Sequence, residues 1–414
     1  MNGRRASFEE RRNHMADARG GMRNVWLLTG CMTGLSICYT MLIPFLPVYL
    51  LELGVGHDSV AIWSGVVFSI TFFVAGVMAP IWGRMADTKG KKLMAIRAGI
   101  LIGISYILTG FVQDAWQLFA TRALMGFANG FMPAAMTMVS LSVPKEKTGT
   151  ALGIFQTGLI VGNVIGPLLG GLIEAVVGMR PVFFIAGGVL FVASAVVFFF
   201  VKEPHMGDAQ PVETTSFRED WNFVKGRKVL TDLLWLYFIM QAAILMLQPI
   251  LALYVGQLQG TMEGAALLAG TILSVGGLAG AVTTNIWAAF GQRKGYFKAV
   301  FYALCGTGIF LFLQSMPFGI TWFGSLQILV GCFIVGVNPL LSAALAHYTE
   351  PAFRGRVFGM ATTANQFGCM VGPLFASGVT TFFGIQYVFL VTGVLLMFVA
   401  YQVYQRRVKA ADAF

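Results

Sequence analysis

MLIPFLPVYL, residues 41–50, returns 205 residues later as MLQPILALYV, residues 246–255, with Pro44 over Pro249 and Tyr49 over Tyr254. The same offset lays Ile81 and Trp82 over Ile286 and Trp287, and Gly90 over Gly295. An offset of 206 places Trp116, Gly130, Pro133, Gly149, Gly153, Gly162, Gly166, Pro167 and Gly178 over Trp322, Gly336, Pro339, Gly355, Gly359, Gly368, Gly372, Pro373 and Gly384. Glycine and proline punctuate helices, and so many of them at one spacing mark an internal repeat. The chain is two halves built on one plan.

Hydropathy tells what each half contains. Of the 414 residues 57% are hydrophobic and only 11% charged, against about 25% charged in a soluble domain. Apolar stretches near the ~20 residues that cross ~30 Å of hydrocarbon recur at 25–51, 60–82, 93–113, 115–141, 149–173, 181–201, 230–256, 263–289, 296–315, 319–346, 356–380 and 384–404. In lipid the backbone must satisfy its own hydrogen bonds, which leaves helices or closed barrels. The ten-residue alternation of a barrel strand is missing. The expectation is an all-α membrane protein of twelve transmembrane helices in two pseudo-symmetric six-helix halves, 25–201 and 230–404. An N-terminal tail (1–24), a polar linker (202–229) and a C-terminal tail (405–414) complete the chain. Phe217, Trp221 and Val224 recur at helical spacing in the linker, which predicts either a short amphipathic helix on the membrane surface or a plain solvated connection.

The net charge of +10 could point to a polyanion, but its placement gives another reading. Nearly all Lys and Arg gather in the tails, the linker and the even-numbered loops with their flanks; Arg122 inside span 4 and Arg180 between spans 5 and 6 stand apart. This is the positive-inside pattern, placing both termini and the linker in the cytoplasm, with no call for nucleic acid. The first apolar run is too long for a signal-peptide core. Five scattered cysteines lack a C-x-x-C pair, so neither a disulfide framework nor a metal site is expected. No H-E-x-x-H, G-x-S-x-G or P-loop pattern suggests an enzyme.

Residues 83–92 read GRMADTKGKK. As a phosphate loop they fail, since Gly83 lies seven residues before Gly90 and Lys91 is followed by Lys92. They match instead G-x3-D-x2-G-[RK]-[RK] between spans 2 and 3, and span 5, GIFQTGLIVGNVIGPLLGG (153–171), fits G-x8-G-x3-G-P-x-x-G-G. On these motifs and the two-half repeat the chain resembles the major facilitator superfamily over essentially its whole length. Within it, the chain is similar to the twelve-span drug:proton antiporters, the bacterial multidrug efflux proteins.

The resemblance implies a secondary transporter that exports small amphiphilic compounds by alternating access, by proton antiport, as a monomer in the bacterial inner membrane without a cofactor. A carrier for an endogenous metabolite, lipid or sugar is the alternative. The resemblance also implies that Gly83, Arg84, Asp87, Gly90, Lys91 and Lys92 latch the two halves. A pure topology signal from the lysines is the alternative reading. The second-half copy, AAFGQRKGYF, has Gln292 where the first has Asp87. In span 5, Gly162, Gly166, Gly170 and Gly171 allow close packing and Pro167 bends the helix, as a moving seam requires.

Arg122 is a charge inside the membrane and so a functional candidate by default; the resemblance associates it with coupling, and a structural arginine bonded to carbonyls is the other reading. No carboxylate lies deep in spans 1, 4, 7 or 10, which leaves Glu174 as the candidate proton carrier. His347 reads as a helix cap or a group titrating near neutrality. Polar and adaptable side chains in the spans expected to line a cavity nominate Tyr39, Asn129, Met136, Gln156, Asn163, Gln241, Gln248, Asn338 and Asn365 for substrate. An arginine without an acid favours neutral or anionic amphiphiles over hydrophobic cations.

Overall fold

Four of the matched prolines, Pro44, Pro249, Pro133 and Pro339, accompany helix breaks, whereas Pro167 and Pro373 lie inside continuous helices. Span 1 stops at Met41 (helix Asn2–Met41), turns through the segment containing Pro44, and resumes as Leu46–Glu52 at a bend of 50°. Span 7 does the same at Pro249, between Lys228–Leu247 and Leu251–Gln259. Spans 4 and 10 divide ahead of Pro133 and Pro339, into Ala115–Ala128 and Phe131–Leu141, and into Ile320–Ile334 and Val337–Tyr348. A proline ring cannot donate to the carbonyl four residues back and clashes with it, so each break lies within one turn of a proline.

The remaining spans run unbroken: Val60–Lys89, Lys91–Phe111, Thr148–Val177, Met179–Phe200, Ala265–Lys294, Tyr296–Gln314, Arg354–Phe383 and Gln386–Val403. This computed structural model describes the backbone of residues 2–144, 147–203, 224–350 and 353–409, and side chains from residue 21 onward except those of Asp87, Arg354 and Gly355. Phe217 and Trp221 of the linker lie outside the described residues, whereas Val224 is buried in the core of the second half. The first helix starts far ahead of residue 25, because charged side chains end an apolar run without ending a helix.

Among the described residues ten helices are long and apolar enough to cross a membrane, and the bent pair of span 1 makes an eleventh. Span 11 is the twelfth. It is 30 residues long but carries Thr362, Thr363, Asn365 and Gln366, and it packs lengthwise against spans 7 and 2 in the middle of the bundle.

The halves share their contacts as well as their sequence. Span 1 packs on 5, 2 on 4 and 3 on 6; six spans later, 7 packs on 11, 8 on 10 and 9 on 12. The matched tyrosines make the same bond in each half: Tyr49 donates its hydroxyl to Thr109 O at 3.0 Å and Tyr254 to Gln314 O at 3.3 Å. Gly90 and Gly295 close the 2–3 and 8–9 turns at φ of 97° and 99°, a backbone region open to glycine without strain. The two halves meet along span 2 against 11 and span 5 against 8.

Candidate functional site

Span 5 presents four faces, two of them packed closely on other spans. A Cβ on Gly158, Gly162, Gly166 or Gly170 would run into span 1: at Gly162 it would lie 2.5 Å from Ser36 Cβ and 2.7 Å from Thr33 O, and at Gly166 it would meet Thr40 Oγ1. These glycines, four apart, form the stripe on which the two backbones approach. The opposite face meets span 8, where a Cβ on Gly171 would stand 2.7 Å from Leu267 Cα and Leu168 N–H donates to Ser274 Oγ at 3.2 Å. Val161, Ile165 and Leu172 lie exposed on the third face. The fourth, facing inward by helical spacing, carries Gln156, Asn163 and Glu174. The motif glycines expected at a moving seam therefore divide: Gly162, Gly166 and Gly170 fasten span 5 within its own half, and Pro167 and Gly171 meet the other half.

That inter-half seam occurs twice. A Cβ on Gly270 would strike Pro167 O, and one on Gly65 would lie 2.6 Å from Pro373 O. Gly65 and Gly270 are repeat mates, as are Pro167 and Pro373. One turn on, Ser69 Oγ donates to Met370 O at 2.6 Å, and its mate Ser274 takes the Leu168 N–H. Two copies of Gly-x3-Ser thus dock on two proline-bent helices and seal one end of the bundle.

The other end is open. On span 2 the stripe Gly65, Ser69, Phe72 continues into Gly76 and Gly83; on span 5 the stripe of Gly171 and Pro167 continues into Gly153 and Gly149; on span 11 that of Ser377 and Pro373 continues into Gly359. At each of these five glycines a Cβ would meet nothing within 4 Å. The helices touch at one end and splay at the other, and the splayed end carries the region of Asn24 ahead of span 1 and the segment after span 12, since Asn24 is hydrogen-bonded to Lys202 O at 2.9 Å and Asp232 holds Arg407 at 2.7 Å.

Arg122 lies beneath the seal. It is only 7% exposed and lines a narrow space, about the size of one water, with Tyr39, Phe68, Thr71 and Phe72 of spans 1 and 2. Its Nη1 donates to Met125 Sδ at 3.5 Å, while Nε and Nη2 have no hydrogen-bond partner and no carboxylate pairs with it among the described residues. A buried donor without an acceptor costs about 1–3 kcal/mol, so any acceptor delivered there binds with that cost relieved. Across the midline Asn365 Nδ2 donates to Gln241 Oε1 at 3.2 Å, and Cys369 Sγ lies 3.8 Å from Asn365 Oδ1. Phe72, Leu245 and Cys369, with Tyr39 packed against them, join the two polar clusters through one apolar patch.

The other candidates are dispersed. Asn129 ends the first segment of span 4, and its side-chain oxygen accepts the Gly130 N–H at 2.7 Å. Gln248 stands at the bend of span 7, Met136 packs on the core beside span 5, and Asn338 keeps a buried Oδ1 without a partner among the described residues. Glu174 lies beyond Gly171, at the sealed end and about 16 Å along the helix from Asn163. His347 rests against Tyr296 and Tyr348 with ring centroids 5.7 and 5.0 Å away. The 83–92 stretch, expected between spans 2 and 3, is helical except at Gly90; the Glu203 carboxylate, at the start of the linker, accepts the Lys92 N–H at 3.3 Å and closes on Gly90, where a Cβ would lie 2.6 Å from Oε1. Arg84 is exposed, Lys91 is half-buried, and the Asp87 side chain lies outside the described residues.

Sequence reasoning missed Thr71, Phe72, Gly65, Ser69 and Cys369, because small and apolar residues carry no functional mark of their own. It also treated Arg97 as part of the basic flank of the 2–3 loop. Arg97 instead lies over the Trp82 ring at 3.6 Å and donates Nη2 to Ala128 O and Asn129 O at 3.2 and 3.1 Å. The Asn129 carbonyl is the one that Pro133, four residues on, leaves without its helical donor.

The family model of the Major Facilitator Superfamily matches residues 28–345 and 303–412. The chain is 35% identical over 377 residues to the multidrug resistance protein MdtG of Proteus mirabilis, covering 90% of this chain and 92% of that one. It is 36% identical to MdtG of Yersinia enterocolitica, over 90% and 89% of the two chains. Among solved structures it is similar in fold to the nucleoside transporter NupG, with a TM-score of 0.75 at 15% identity over 92% of this chain and 99% of that one. A bacterial homologue of the human lysosomal transporter Spinster, in an inward-facing conformation, gives 0.73 at 15% identity over 93% and 96%.

Proposed function

The chain belongs to the major facilitator superfamily, and from that premise we propose that it exports small amphiphilic compounds across the bacterial inner membrane, by alternating access and in exchange for protons. The observation that carries this reading is the asymmetry of the seam: one end sealed by two repeat-related contacts, the other splayed, with a buried arginine between them. Rocking the halves about that level would break the Gly65 and Gly270 contacts and close the glycine-lined end, exchanging the side from which Arg122 is reached. The relatives' names supply the substrate class, multidrug.

The basic residues at the splayed end support placing it, and both termini, in the cytoplasm. Export then starts from the conformation described above. Substrate enters between Gln156 and Asn163 on one side and the Gln241–Asn365 pair on the other, and its acceptor groups reach the orphaned N–H donors of Arg122. A cation is repelled on that approach, so neutral and anionic amphiphiles are the preferred cargo. Glu174, at the end that opens outward, is placed to load protons from outside.

The test uses inverted membrane vesicles with an acidic interior. Added neutral or anionic drugs should dissipate the gradient in wild type, and Arg122→Ala should abolish the response; Glu174→Gln should leave substrate binding intact while weakening the proton response. No dissipation by any compound from folded protein would turn the reading towards a carrier of an endogenous metabolite, and preferential export of a cationic dye would refute the charge preference.

A further inference from the structure

We propose that Arg122 binds a small inorganic anion of the halide class, with chloride as the available example, in the space it lines beneath the seal. This deepens the reading of Arg122 as the group that cargo reaches, and rests on that reading only for what the anion does in transport. A guanidinium stays protonated at any ordinary pH, and a charge taken out of water is kept by pairing it or by satisfying its hydrogen bonds. Arg122 has neither: Nη1 has a thioether for its acceptor, and Nε and Nη2 have none.

No acid of the chain comes near to supply the missing charge. Spans 1 to 4 carry no Asp or Glu over residues 24–51, 60–86, 91–113 and 115–143. Spans 7 and 11, which face the site across the midline, carry none over 233–262 and 356–383. Asp114, which opens span 4, lies about 12 Å along the helix from Arg122 and accepts the Gln117 N–H at 2.8 Å. The ionisable groups within electrostatic reach of the guanidinium are the phenols of Tyr39, Tyr49 and Tyr106.

The donors around the space select the occupant. Tyr49 and Tyr106 donate their hydroxyls to Thr109 O and Cys38 O at 3.0 and 3.3 Å, and Thr71 donates to Arg122 O at 3.1 Å. Tyr39, on the wall of the space, has no such partner among the described residues. A phenol hydroxyl and two guanidinium nitrogens are thus left to surround an anion. Space for about one water admits a halide ion or a single oxygen of a larger molecule, but not the four oxygens of sulfate. The second half has Ile328, Ile244 and Gly276 at the positions of Arg122, Tyr39 and Thr71. The cation and the free phenol occur together in one half and are lost together from the other, as parts of one site. Cargo that brings an acceptor to Arg122 then displaces the anion, so the two compete.

The experiment is thermal unfolding of the purified full-length protein in detergent, with sodium chloride replacing sodium gluconate at constant ionic strength. A ligand that binds the folded state raises the midpoint saturably, whereas general salt effects rank sulfate above chloride. The midpoint should rise and level off with chloride and with bromide, and sulfate should give no saturable rise. Arg122→Gln should lose the response. Tyr39→Phe keeps the charge but removes one hydrogen bond to the ion, and should raise the half-saturating chloride concentration about tenfold. A wild-type response that does not saturate, the same response in folded Arg122→Gln, or an unchanged half-saturation in Tyr39→Phe would overturn the proposal. Binding is read here without transport, so an Arg122-dependent drug response in vesicles beside no chloride response would strike the anion and leave the export reading standing. A saturable, Arg122-dependent chloride response beside no drug response would do the reverse.

Discussion

Gly65→Ala adds a single methyl group at the sealed end, and its cost depends on which way the transporter faces. The added Cβ would lie 2.6 Å from Pro373 O and 2.6 Å from Ser377 Oγ, where ordinary contact starts at 3.4 Å. The first neighbour is backbone and cannot rotate away, so the helices must shift, at about 1–3 kcal/mol for an overpacked site. In the opposite conformation spans 2 and 11 part at this level and the methyl has room. The substitution therefore shifts the equilibrium by about 5–150-fold towards the conformation in which this sealed end is open. Gly270→Ala acts on the repeat-related seam across the bundle, and well-separated sites add, giving about 2–6 kcal/mol for the pair. That range includes the ~5.5 kcal/mol that inverts a 99:1 equilibrium. Double electron–electron resonance between labels at His57 and Thr261, both exposed at the sealed end, should show the long-distance population growing in the single variants and dominating in the double. Gly166→Ala is the control: its clash is with Thr40 and Ile37 of the same half, so it should lower thermal stability without changing the distances. An unchanged distribution in the double variant, or an equal shift from Gly166→Ala, would refute the assignment of these glycines to the gate.

Arg97→Lys should lower stability by about 1–2 kcal/mol in thermal unfolding, because an ammonium cannot stack on Trp82 while bonding both carbonyls at the span 4 break. Asp232→Asn should cost about 1–2 kcal/mol and expose the C-terminal segment to protease, since its half-buried carboxylate holds Arg407 at 2.7 Å and a partly shielded pair lies between the surface and buried limits. A double-mutant cycle on Gln241 and Asn365 should return a coupling of about 0.6 kcal/mol, the typical size for a bond between membrane helices; a value near zero would remove the pair from the polar lining of the cavity.

Spans, repeat and family were legible in the sequence because each is a property of the chain read in order. Hydropathy over about twenty residues measures the cost of leaving the bilayer, and Pro44 over Pro249 or Tyr49 over Tyr254 is visible without knowing what either touches. The same reading located Arg122, since a charge in an apolar run announces its cost. Tertiary structure decided direction around each helix. Gly162 and Gly171 belong to one motif, yet the first packs on span 1 and the second on span 8, because a helix turns about 100° per residue and its neighbours stand at fixed bearings. Gly65, Ser69 and their mates became a gate only once spans 2 and 8 were set against the bent spans 11 and 5. Arg97 reads in sequence as one more basic residue after the 2–3 turn, but the Asn129 carbonyl that Pro133 leaves without a donor holds it over the Trp82 ring, a meeting of spans 2, 3 and 4 that no single stretch of sequence displays.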